Sequence, residues 1–92
     1  MSSLISLQEV ETVAALRMSR TKWLDFRQVH ERTFHTAPRT VRAVLAKLAR
    51  RGVVDYVEVY PGRRYRLHAD AETDHAAYFA AIDLAAEALR GE

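Results

Sequence analysis

The chain has 92 residues, a formal net charge of +2 and no cysteine. That length holds one small domain, which buries roughly 60–65% of its unfolded surface. The missing thiols exclude disulfide frameworks, zinc–thiolate sites and thiol catalysis. No apolar run approaches the roughly 18 residues of a membrane span, and the opening MSSLISLQEVE lacks the positive region of a secretory signal. A cytoplasmic protein without membrane contact is expected.

The small net charge conceals a steep asymmetry. Residues 17–66 hold 13 Lys/Arg against 4 Asp/Glu, whereas residues 67–92 hold one Arg against six acids. A basic middle beside an acidic end suits a surface that meets a polyanion. The plainer reading is surface charge that happens to segregate.

Ser6-Leu7-Gln8-Glu9 has the form of a capping box, Ser6 accepting from the Glu9 amide while the Glu9 side chain reaches back. With Ile5 and Val10 as a hydrophobic staple, a first helix is expected from Leu7 to about Met18. The polar run SRTK breaks its periodicity. Trp23 and Leu24 form a short extended piece, with Trp23 in the core. Asp25 then caps a short helix over 26–33 that turns Phe26 and Val29 inward.

Thr36 is the next N-cap candidate, and Pro38 in the first turn loses no hydrogen bond because those amides are unpaired in any helix. This third helix runs to Arg51, where Gly52 supplies the left-handed residue that stops it. Val41, Val44, Leu45 and Leu48 make its apolar stripe. The opposite face is Arg39, Ala43, Ala46 and Arg50, flanked by Arg42 and Lys47. Two alanines between two arginines let the backbone approach a surface while the guanidiniums reach outward. A merely solvated helix mixes Glu and Lys there. Here no acid occurs between Thr33 and Val54, and clustered cations become favourable against phosphate. For Arg50 and Arg51 the helix dipole is a sufficient explanation without a ligand.

After Gly52 the pattern alternates. VVDYVEVY and RRYRLH read as two strands of a hairpin around Pro61-Gly62, with a type II turn in a loop that also takes in Tyr60 and Arg63. Arg63, Arg64 and Arg66 serve either to contact a polyanion or to protect a sheet edge. A last helix opens at Asp70 or Thr73 and reaches about Arg90, stopped by Gly91. Phe79, Ile82, Ala86 and Leu89 step by 3, 4 and 3, the spacing of a helix–helix seam, with Tyr78 beside them. A small core and this seam together predict a homodimer.

The stretch TxPRTVxxxLxxLxxxGVV (Thr36–Val54), between a short capped helix and a hairpin, is similar to recognition helices of the MarR, PadR and ArsR type. Residues 23–68 resemble a winged helix-turn-helix, the module of many bacterial and archaeal transcription regulators. The resemblance implies an α+β, mainly helical fold: a three-helix core with a two-stranded wing over residues 1–69, then a C-terminal dimerisation helix over 70–92. It also implies sequence-specific binding of double-stranded DNA as a homodimer, most simply as a repressor. Recognition helices read the major groove near their N-termini. Arg39, Thr40 and Ala43 are therefore candidate base readers, Thr36 and Arg42 candidate phosphate contacts, and Lys47 and Arg50 further candidate DNA-binding residues. Arg63, Arg64 and Arg66 would meet the backbone or minor groove. Tyr78, Phe79, Ile82, Ala86 and Leu89 would form the dimer interface. A winged-helix protein–protein module, or an accessory DNA-binding factor in replication, partition or excision, fits the same pattern.

Other chemistry has little support in the residues. His30 and His35 are five apart, off the spacing that places two imidazoles on one helix face, and no acidic cluster is seen to complete a metal shell. None of the three glycines forms a phosphate loop, and no nucleophile motif occurs. No enzyme activity, metal or cofactor is expected, and no effector site is legible.

Overall fold

The computed structural model describes residues 5–91; residues 1–4, part of the segment read for a secretory signal, and Glu92 lie outside it. Helix α1 (Leu7–Arg17) starts on Ser6, whose Oγ accepts from the Glu9 amide at 3.1 Å. The reciprocal half of the expected capping box is absent. Glu9 is buried and its carboxylate turns instead to Lys47 and Tyr78. An ammonium and a hydroxyl together are stronger partners than the Ser6 backbone amide.

Strand β1 (Leu24–Asp25) leads directly into α2 (Phe26–Glu31). Here a full capping box forms: the Gln28 amide donates to Asp25 at 2.8 Å, and the Asp25 amide donates to Gln28 Oε1 at 2.9 Å. The helix ends two residues earlier than the periodicity predicts, with Arg32 as its C-cap. Trp23, expected in the core, is half-buried, because the adjacent Leu24 fills the interior there.

Helix α3 (Pro38–Arg50) places Pro38 in its first turn, and Ala37 rather than Thr36 occupies the N-cap. Gly52 has φ +78°, the left-handed conformation that a side chain resists. The Gly52 amide donates to Ala49 at 3.2 Å and the Val53 amide to Leu48 at 3.0 Å. That is the paired bonding of a Schellman stop, and both Leu48 and Val53 are buried.

Strands β2 (Val54–Val59) and β3 (Gly62–Leu67) form the hairpin, in register from Val54↔Leu67 to Val59↔Gly62. Because Gly62 joins the ladder, the loop is only Tyr60-Pro61, joined by a cis peptide. This corrects the expected Pro61-Gly62 type II turn. β1 adds to the other edge of β3 through Leu24↔Tyr65 and Asp25↔Arg64, giving the sheet order β1-β3-β2. Val54 and Leu67 are buried at the root of the hairpin, whereas Val57, Val59 and Tyr60 are exposed, so the wing projects beyond the core.

The single last helix expected is two, α4 (Ala71–Asp74) and α5 (Ala76–Arg90), interrupted where His75 leaves helical geometry at φ −123°, ψ 43°. Val13 and Leu16 of α1, Val29 of α2, and Val41, Leu45 and Leu48 of α3 meet in one core, which Phe79 and Ile82 of α5 complete. Each such side chain contributes about 1.5–3 kcal/mol when fully buried. Phe79 and Ile82, expected on a dimer seam, are thus only 3% and 2% exposed within their own chain. In a domain this small these two side chains are needed to complete the chain's own core. Among the described residues no helix is long and apolar enough to cross a membrane.

Candidate nucleic-acid interface

The turn between α2 and α3 is held by a residue from outside it. Glu11 of α1 accepts from the backbone amides of Phe34 (3.0 Å) and His35 (2.8 Å) and from the Thr36 hydroxyl (2.7 Å), and its other oxygen lies 3.0 Å from His35 Nδ1. Burial alone would raise the Glu11 carboxyl, but these bonds outweigh it and hold it at about 2. Thr36 is therefore buried with its hydroxyl committed to Glu11, placed beneath the surface where a phosphate contact was expected. Glu11 escapes sequence reasoning because nothing local marks it.

Beyond that turn, α3 presents Arg39, Arg42, Ala43, Ala46 and Arg50 to solvent, while Thr40 is half-buried. The Arg42 guanidinium lies 3.8 Å from the centroid of the Phe26 ring. This stacking orients the cation and leaves its outer edge open. Among the described residues, Arg39 and Arg50 make no ion pair. The alanine-flanked face therefore has the small-residue floor and projecting cations that its pattern predicts.

Lys47 departs from that pattern. Its Nζ donates to Glu9 Oε1 at 2.8 Å, and the Tyr78 hydroxyl donates to Glu9 Oε2. Burial pushes the Glu9 carboxyl up, yet the bonds from Lys47 and Tyr78, with Arg51 nearby, hold it below its ordinary value. Burial, and the bond to the Glu9 carboxylate, push the Tyr78 hydroxyl far up. Lys47, expected among the DNA-binding residues, is thus the half-exposed cation of a cluster around the buried Glu9 carboxylate that joins α1, α3 and α5. The basic face of α3 is smaller by that one cation.

On the wing, Arg66 stacks 4.2 Å from the Trp23 centroid, and Arg63 stacks 4.5 Å from Tyr56 while reaching Glu58 at 3.1 Å. Arg64 is exposed, and among the described residues it makes no ion pair. Arg17 and Arg20, at the other end of the basic run, are committed to the acidic C-terminal part: Arg17 to Glu72 and Asp83, and Arg20 to Glu72. Of the expected seam residues, Tyr78 is tied to Glu9, Ala86 is half-buried and Leu89 is 47% exposed.

A helix-turn-helix built from α2 and α3, followed by a projecting hairpin closed by a third strand, is a winged helix-turn-helix. The chain has that fold, with no subfamily assigned. It aligns over 95% of its length with the PcaV transcriptional regulator from Streptomyces coelicolor, whose crystal structure is a complex with that protein's natural ligand, at a TM-score of 0.63 and 24% identity. The chain spans 64% of the length of that regulator. No protein-family model and no curated protein matches it.

Proposed function

We propose that the protein binds double-stranded DNA in a sequence-specific manner as a transcription regulator. The observation that carries this reading is the exposed face of α3, where Arg39 and Arg50 flank Ala43 and Ala46. Arg39 reaches guanine O6 and N7 in the major groove, with Thr40 and Ala43 beside it against thymine methyls. Arg42 and Arg50 sit at phosphates, and Arg63, Arg64 and Arg66 bring the wing to the backbone or minor groove. The likeness to a transcriptional regulator supports the same reading. Repression by occupancy is the simplest outcome of such binding.

The binding unit in this proposal is a homodimer, with two copies of α3 in successive major grooves about 34 Å apart. With Phe79 and Ile82 occupied internally, the second copy meets the outer side of α5. Ala77, Ala81, Leu84 and Ala88 recur there at steps of 4, 3 and 4, all exposed. The deciding experiment is selection of bound fragments from a random DNA pool, followed by anisotropy at several salt concentrations. A recovered inverted repeat, with log K falling against log salt at a slope near −7 for roughly eight neutralised phosphates, supports the proposal. Absence of any enriched sequence, or a flat salt response, overturns it.

A further inference from the structure

No acidic cluster able to complete a metal shell is visible in the sequence; the folded chain forms one at the root of the wing. His68 follows β3, and Asp70 and Asp74 lie at the start and end of α4. A ring nitrogen and one carboxylate oxygen from each aspartate lie within 4.8 Å of one another. Neither aspartate has an evident structural task. Asp70 sits at the N-cap of α4, yet its side chain caps nothing. The two carboxylates are four residues apart, a like-charge spacing that is destabilising on a helix. Of the cations beside His68, Arg20 is paired with Glu72 and Arg66 is stacked on Trp23.

The histidine is prepared by a fourth residue. His68 Nδ1 lies 3.1 and 3.2 Å from the two carboxylate oxygens of Asp55 on β2. A ring held in this way carries its proton on Nδ1 and leaves the Nε2 lone pair for a ligand, the outer-shell pairing that orients metal-binding histidines.

We propose that His68, Asp70 and Asp74 bind one divalent transition-metal ion of the Zn2+ type, with Asp55 as a positioning residue. Ligand bonds of about 2.0–2.2 Å place donors roughly 3.4 Å apart, a contraction that exposed carboxylates reach by side-chain rotation. Water completes the coordination. One imidazole with two carboxylates favours Zn2+ over Mg2+, which takes an octahedral oxygen shell. The bound ion ties the end of β3 to α4 and, through Asp55, to β2, which stiffens the wing at its root.

The test is calorimetric titration of the metal-stripped full-length chain with Zn2+ and, separately, Mg2+. One Zn2+ per chain is expected, with at least tenfold weaker binding in each of D70N and D74N, whose side chains are exposed and whose folding is checked by circular dichroism. H68Q should abolish saturable binding, and D55N should weaken it ~10–100-fold without changing the stoichiometry. Unchanged affinity in D70N and D74N, no saturable Zn2+ binding, or equal affinity for Mg2+ overturns the proposal. No DNA enters the measurement, so its outcome is independent of the proposed function.

Discussion

Replacing Glu11 with Gln removes the charge that organises the helix-turn-helix while keeping the side chain's size. In the native chain one carboxylate serves two backbone amides, one hydroxyl and one imidazole at 2.7–3.0 Å. Hydrogen bonds to a charged group are worth about 1.5–3 kcal/mol each. They share one acceptor here, the amide retains one oxygen, and the His35 ring is largely exposed and screened. A net loss of about 2–3 kcal/mol follows. For a domain of this size each kcal/mol shifts Tm by roughly 4–8 °C, so E11Q should melt about 10–20 °C lower at pH 7 by circular dichroism. The pH dependence provides an internal check. The folded value of about 2 lies below the ordinary 4.5, so the Glu11 contribution is complete above pH 4.5 and is lost as pH falls toward 2. The gap between native protein and E11Q must close over that window. A gap below about 0.5 kcal/mol at pH 7, or one unchanged between pH 6 and pH 2.5, would show that Glu11 does not hold the turn.

Three further outcomes are expected. Lys47→Met leaves the Glu9 carboxylate buried without its cation and should cost about 2–3 kcal/mol; its carboxyl rises as a result, so acidification from pH 7 to 5 should narrow the loss in urea melts. Arg39→Ala should relax base preference at one or two positions of the selected site, whereas Arg64→Ala should weaken binding to all sequences alike and reduce the salt slope by about 1, as removal of one phosphate-neutralising cation requires. Leu84→Glu, on the outer side of α5, should leave folding stability within about 0.5 kcal/mol of native but yield a monomer by light scattering; an unchanged dimer would place the interface elsewhere.

What the sequence displays is what depends on near neighbours. Asp25 with Gln28, Pro38 at the start of α3 and Gly52 at its end act over three or four residues, and each does what its local chemistry requires. The basic face of α3 is legible for the same reason. Glu9 and Glu11 are illegible because their partners lie far along the chain, Tyr78 at a separation of 69 and His35 at 24. β1 is two residues long, too short to show alternation. The break at His75 carries neither proline nor glycine to announce it. On α5 the apolar spacing is real, but Phe79 and Ile82 meet their own core instead of a second copy. Periodicity reveals an apolar face without saying what covers it.

The two carboxylates of α1 explain why a basic surface can sit beside acids without being neutralised. Glu9 and Glu11 are two residues apart on one helix, yet they hold opposite ends of the same neighbour: Glu9 takes Lys47 in the last turn of α3, and Glu11 takes the turn that precedes its first residue. Each is satisfied by several donors, so neither presents open charge to a polyanion. The cation given up in this arrangement is Lys47, whose charge is paired with the buried Glu9 carboxylate. Arg39, Arg42 and Arg50 remain outside, carried on a helix fixed at both ends. Orientation is what base reading demands, since a bidentate arginine discriminates only when its backbone is held. The acidic residues of α1 therefore contribute to the basic face by fixing the helix that bears it.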